Sequence, residues 1–189
     1  MGEKERVLEL KTRRIIYNYI LKNPGLHERE LSRQLETALS TLDYHLYYLK
    51  KRELIIAKSD GHYTQYYASG KIGSKDKNFL ALLRQKVPRR IIIFLLIRGS
   101  CTHKSIWDHI GLAASTTSFH LNKLVNNNII SRVEHGRDSI FYVLEPEYVS
   151  DLIILYKESF VDDAVQRFAD TWLEIHPRNL SKAKKQDME

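Results

Sequence analysis

The chain has 189 residues, 43% hydrophobic and 28% charged, with eight glycines, four prolines and one cysteine. Thirty Lys and Arg against 23 Asp and Glu give a formal charge of +7 and a pI of about 9.4, a balance that suits a polyanionic partner. A lone cysteine excludes an internal disulfide, a CxxC redox pair and a multi-cysteine zinc site. The longest apolar runs, Ile91 to Ile97 and Leu152 to Tyr156, fall far short of the roughly 18 residues of a membrane span.

The N-terminal MGEKERVLELKTRR is charged throughout and lacks the apolar stretch of a secretory signal, so a cytoplasmic location is expected. Ile15, Ile16, Tyr19 and Ile20 recur at the three-to-four spacing of a helix face, and Asn23-Pro24-Gly25 ends that helix. His27 to Leu35 predicts a short second helix. Thr37 to Arg52 predicts a third, with Leu42, Leu46 and Leu49 on one face. Leu54-Ile55-Ile56, a turn at Ser59 to His62, and Thr64 to Tyr67 then read as a β-hairpin.

Residues 89–145 repeat this order. Arg13-Arg14-Ile15-Ile16 recurs as Arg89-Arg90-Ile91-Ile92 at an offset of 76, and ALSTLDYHLYYLKKRELI (38–55) lies over AASTTSFHLNKLVNNNII (113–130) at an offset of 75. Helices are expected over Ile91–Ile97, Ser105–Ile110 and Ser115–Asn126, with a hairpin around His135 to Asp138. Gly70 to Lys86 reads as a basic turn and connecting helix. After the second hairpin, Pro146 suits a first helical position, and the segments Tyr148–Tyr156 and Phe160–Ile175 carry helical apolar spacing. The tail from Pro177 has no periodicity and is expected to be disordered.

Net charge falls unevenly, +3 over residues 1–70, +6 over 71–90, +1 over 91–145 and −3 over 146–189. This divides the chain into a basic half facing DNA and an acidic, apolar half for association. Ser115-Thr116-Thr117-Ser118, at a helix start, reads first as an N-cap. Cys101 aligns with Leu26 across the repeats, as a small buried apolar residue would. No spacing of histidines or carboxylates suggests a metal site, and no nucleophile, base and orienting group come together, so no cofactor, metal or catalytic activity is expected.

The run Ser40-x-x-x-x-His45-Leu46-x-x-Leu49-x-x-x-x-Leu54-Ile55 and its repeat Ser115-x-x-x-x-His120-Leu121-x-x-Leu124-x-x-x-x-Ile129-Ile130 resemble the recognition-helix signature of ArsR-like winged helix-turn-helix transcription regulators. The tandem arrangement is similar to the double winged-helix regulators common in archaea. Where those proteins have a glycine before the strand, this chain has Glu53 and Asn128. The resemblance implies a mainly α fold with small β-hairpin wings (α+β). The resemblance covers about residues 11–145, and with the element and charge pattern the chain is expected to hold winged-helix domains at 1–70 and 87–145, a linker at 71–86, association helices at 146–176 and a tail at 177–189.

In such proteins the third helix enters the major groove of double-stranded DNA and the wing meets the backbone or minor groove. By position, the groove-facing residues are Leu39, Ser40, Thr41, Asp43, Tyr44 and Tyr47 in the first repeat. In the second they are Ala114, Ser115, Thr116, Ser118, Phe119 and Asn122. Lys50, Lys51, Arg52 and Lys123 are phosphate contacts by the same reasoning. Lys58, His62 and Tyr63 form one wing tip, with Arg132, His135 and Arg137 the other, and Arg137 is best suited to a narrow minor groove. His45 and His120 fit either a backbone contact or a structural role. A homodimer through the C-terminal helices is expected, with no membrane partner. A nucleoid-architectural protein and a winged-helix interaction scaffold are the alternatives.

Overall fold

The computed structural model describes residues 7, 10–59, 63–136, 138–160 and 162–176. It divides into two compact units, Met1–Arg84 and Gln85–Glu189. The tail expected to be disordered, and with it His62 and Arg137, lies outside the described residues.

The first unit begins with α1 (Lys11–Lys22), which buries Ile16 and Ile20. Asn23 ends it, its Nδ2 donating to the Tyr19 carbonyl at 3.0 Å. Gly25 then turns the chain at φ +82°, where a Cβ would stand 3.2 Å from Tyr67 Oη. Leu26–His27 (β1) leads into α2 (Glu28–Gln34), which opens with a capping box. In it the His27 ring accepts from Glu30 N–H, and the Glu30 carboxylate accepts from His27 N–H.

Helix α3 (Leu39–Lys51) buries Leu42, His45, Leu46 and Leu49. It stops in a Schellman motif, with Leu54 N–H donating to Leu49 O at 3.0 Å and Glu53 N–H to Lys50 O at 2.9 Å. Glu53 takes the left-handed conformation, φ +55°, at the position where the resembled family has glycine. The wing follows as β2 (Ile55–Ser59) and β3 (Thr64–Ala68), paired from Ile55↔Ala68 to Ser59↔Thr64.

Strand β1 adds to the far side of β3, giving the sheet order β1-β3-β2. This third strand is a finding beyond the expected hairpin. Helix α4 (Ser74–Leu83) buries Phe79, Leu80, Leu82 and Leu83. Hydrogen bonds tie this segment to the rest of the first unit: Tyr67 Oη donates to the Lys77 carbonyl at 3.1 Å, and Arg84, just after the helix, donates to the Pro24 carbonyl at 3.0 and 3.2 Å.

The second unit repeats the plan. Helix α5 (Lys86–Arg98) buries an unbroken run from Ile91 to Leu96. Next come β4 (Ser100–Thr102) and α6 (His103–Ile110), capped by the Thr102 hydroxyl. Helix α7 (Ala114–Asn126) buries Thr117, Leu121 and Leu124. The wing comprises β5 (Ile130–His135) and β6 (Asp138–Val143), in a sheet ordered β4-β6-β5. The Schellman motif recurs, with Ile129 N–H to Leu124 O at 3.1 Å and Asn128 at φ +54°.

The N-cap reading of Ser115-Thr116 is corrected. The helix starts one residue earlier than expected, its N-cap is Ala113, and no side chain caps it. Ser115 and Thr116 therefore sit inside the first turn and are exposed. Cys101 is buried in β4 opposite Phe141, and burial raises its thiol pKa, as befits an inert core residue.

Helix α8 (Pro146–Leu155), with Pro146 in its first turn, and α9 (Asp163–Ile175) complete the second unit. Helix α9 packs on α8 and α5, burying Val165, Phe168 and Ala169. No helix among the described residues is long and apolar enough to cross a membrane.

Candidate nucleic-acid interface

In each unit the helix after the turn has one buried and one open face. On α3, Leu42, Leu46 and Leu49 point inward, while Leu39, Ser40, Thr41, Asp43, Tyr44, Tyr47, Lys50 and Lys51 are exposed. Tyr44 is 54% and Tyr47 57% exposed, high values for aromatic rings, although Tyr44 meets the His45 ring edge-on at 5.3 Å. Tyr48 lies under the Arg13 guanidinium at 3.9 Å, with Arg52 at 5.9 Å, so one of the three tyrosines packs and two face out.

The open face is concave. A pocket of about 340 Å³ lies between Ser40, Asp43, Tyr44, Tyr47 and Lys50 on the helix and Tyr66 of β3. Tyr66 was not among the expected site residues, because a strand's period places it on one of two faces without saying which one approaches the helix. Burial raises its hydroxyl pKa, and the carboxylates of Glu28 and Asp43 add to that.

The α7 face repeats the geometry with other chemistry. Ala114, Ser115, Thr116, Phe119 and Asn122 are exposed, Phe119 by 63%. Ser118 is not brought to this face in the same way, since it is partly buried and its Oγ lies 2.8 Å from His103 Nε2. Neither duplicated histidine stands fully open. His45 is 8% exposed on the leucine face of α3, and His120 is partly buried. The Nδ1 of each is buried without a hydrogen-bond partner. Burial first, then the positive charge of Arg13 or Lys123, lowers their pKa values, so both rings are neutral at pH 7.

The expected cations are partly engaged. Lys58 donates to Asn78 Oδ1 of α4, and Lys123 donates to Gln85 Oε1 at 3.2 Å. Arg132 pairs with Glu134 at 2.6 Å and donates to Ser139 Oγ at 3.1 Å. Tyr63 stacks on His27 with centroids 5.3 Å apart, and His135 is exposed. Such partners lie 2 to 38 residues away in the sequence and leave no periodic signal. Among the described residues no three His, Cys, Asp or Glu side chains converge as metal ligands.

Two units, each with a three-helix core closed by a three-stranded sheet whose hairpin projects as a wing, define a tandem winged helix-turn-helix protein. Residues 10–80 match the family model of an N-terminal HTH domain, and residues 87–132 match that of the bacterial regulatory protein arsR family. Each unit thus matches a helix-turn-helix family model, and the second unit is similar to the arsR family of regulatory proteins.

The chain is 38% identical, over 144 residues and 76% of its length, to an uncharacterized HTH-type transcriptional regulator of Methanocaldococcus jannaschii. It spans about a third of that relative, 36% of its length. Among solved structures it is similar to the transcriptional repressor BigR from Xylella fastidiosa. That match has a TM-score of 0.41 and 18% identity, and covers 47% of this chain and 89% of that one. It is also similar to NolR from Sinorhizobium fredii, with a TM-score of 0.34 and 18% identity, over 54% of this chain and 84% of that one.

Proposed function

We propose that the protein is a transcription regulator that binds double-stranded DNA through its winged-helix modules. A recognition helix enters the major groove, and the wing approaches the backbone or minor groove. The observation that carries this reading is the outward face of α3. There, hydroxyls at Ser40 and Thr41, the Asp43 carboxylate, two exposed tyrosines and Lys50 and Lys51 share the open side of a helix whose other side is fixed in the core. Short hydroxyls bond bases or phosphates, and a carboxylate accepts from a cytosine amine. The arsR-family match, the regulator from Methanocaldococcus jannaschii and the +7 charge support the same reading.

A homodimer forms through the C-terminal helices, where Leu155 and Ile175 remain exposed after α9 has packed on α8 and α5. Dimerisation would pair the reading surfaces about a two-fold axis and favour a palindromic site.

The test is fluorescence anisotropy on the protein's own promoter duplex and on a scrambled duplex of equal length, each titrated across salt. The regulator reading expects the promoter to bind about a thousandfold tighter. Equal affinities with a steep salt slope would instead mark an architectural DNA-coating protein, and no binding to either would mark an interaction scaffold.

A further inference from the structure

We infer that the DNA-reading surface is confined to the first module, and that the second, built on the same plan, makes no base or phosphate contact. The inference rests on the DNA-binding reading above. Because the two recognition helices register at an offset of 75, every position in one has a counterpart in the other. Lys50, Lys51, Arg52 and Lys58 of the first module correspond to Val125, Asn126, Asn127 and Val133 of the second, four cations to four neutral side chains. Each cation on the phosphate backbone releases a counterion and adds about one to the salt slope. The second module therefore lacks most of the sequence-independent source of affinity.

Two of the cations it keeps on this side are engaged, as Lys58 of the first module is by Asn78. Lys123 bonds Gln85, and Arg132 is neutralised by Glu134 at 2.6 Å. A guanidinium held by its own carboxylate presents little net charge to a phosphate.

Some base-reading positions have diverged as well, although Ser40/Ser115 and Thr41/Thr116 are kept. The counterpart of the exposed Asp43 is Ser118, held by His103, and the counterpart of Tyr44 is Phe119, exposed but without a hydroxyl. Leu112 and Val133 add further exposed apolar surface in this module. Such a face keeps the short donors Ser115, Thr116 and Asn122 but offers a polyanion little counterion release.

The experiment uses the full chain and the duplex that the unsubstituted protein binds. Two triple variants are compared, Ser40→Ala/Tyr47→Ala/Lys51→Ala against Ser115→Ala/Asn122→Ala/Arg137→Ala, the last removing the cation that the second wing carries in the sequence. Circular dichroism checks that each remains folded. The first triple is expected to weaken binding by about thirtyfold or more and to lower the salt slope by about one. The second is expected to leave Kd within about threefold and the slope unchanged.

A further variant, Lys50→Gln/Lys51→Gln, changes only exposed side chains. It is expected to lower the slope by about two. Comparable losses from the two triples, or a slope unmoved by the lysine variant, would overturn the inference while leaving DNA binding standing. No binding by the unsubstituted chain would overturn both.

Discussion

Arg89 is 9% exposed near the start of α5, and its Nε and Nη2 donate to Asp162 Oδ2 at 2.9 and 2.5 Å. The other carboxylate oxygen accepts from Ala164 N–H at 3.0 Å, so one side chain both caps α9 and neutralises a buried guanidinium. Burial alone would raise the Asp162 pKa, but the bonds from Arg89 and from the Ala164 N–H overcome it and hold the carboxyl below its usual range.

Asp162→Asn keeps an acceptor for the cap yet strands the Arg89 charge, which should destabilise the second unit by about 3–5 kcal/mol. Arg89→Met preserves the packing of the stem and leaves a carboxylate that still caps, so about 2 kcal/mol is expected. The double variant removes both charges and should fall short of the summed effects by about 2 kcal/mol, the coupling of the pair.

The assay is selective, because both tryptophans, Trp107 and Trp172, lie in the second unit and Trp172 sits on α9 itself. Urea unfolding followed by tryptophan fluorescence therefore reads this unit. A depressed carboxylate contributes stability that is fully present above its unfolded pKa and is lost as pH falls through the lower folded value. The gap between the unsubstituted chain and Asp162→Asn should thus close below about pH 4. An Asp162→Asn effect under about 1 kcal/mol, or strictly additive single effects, would refute the reasoning.

Further expectations concern the core and the turns. Thr117 is fully buried with an unpartnered Oγ1, where its counterpart is Leu42. Thr117→Val should therefore stabilise the second unit by about 1 kcal/mol in the same fluorescence assay, and destabilisation would mean the hydroxyl has a role in the fold. Glu53 holds φ +55° without the freedom of glycine, so Glu53→Gly should raise the stability of the first unit by about 1 kcal/mol. Asn128→Gly should give less, because asparagine tolerates that conformation, and melting by circular dichroism compares the two. The lowered pKa values of His109 and His120 make the folded second unit bind fewer protons than the unfolded chain below about pH 6.5. Stability should accordingly be full above that value and fall as pH drops toward the lowered folded values. His120→Gln should flatten the urea-midpoint profile between about pH 7.5 and 5.5, and an unchanged slope would place the ring in solvent.

The helices and both wings were legible because their apolar residues recur at the periods the elements impose, and the repeat made each assignment twice. Strands β1 and β4 were not, since two or three residues carry no period, and their pairing with Tyr66 and Phe141 is a long-range event. The start of α7 at Ala114 defeated the capping argument, because a serine and threonine inside the first turn look in sequence like a serine and threonine before it. On the interface, exposure followed from helical phase for Ser40, Tyr44, Tyr47, Phe119 and Asn122. The engagement of Lys58 by Asn78, Lys123 by Gln85 and Arg132 by Glu134 depended on tertiary placement and had no sequence signature.

What the two modules retain and what they change separates fold from function. The retained positions are internal or conformational. Leu46/Leu121 and Leu49/Leu124 fill the helix cores, and Ile55/Ile130 begins each wing. Glu53/Asn128 shares a left-handed turn through different residue types. That last pair is informative, because the backbone conformation is kept although neither residue is glycine. The Schellman bonds and the burial of Leu54 and Ile129 must over-determine it.

Most changed positions, among them Asp43/Ser118, Lys51/Asn126 and Lys58/Val133, lie on or beside the open faces, where substitution disturbs little packing, the buried Leu42/Thr117 pair apart. Outward Ser40/Ser115 and Thr41/Thr116 are exceptions, kept alike in both modules. A short hydroxyl in the first turn of a recognition helix suits a close approach to any polar surface, so its retention fits both a reading helix and one that has left the DNA. Charge is the property that divides them, and charge is what the salt dependence of binding measures.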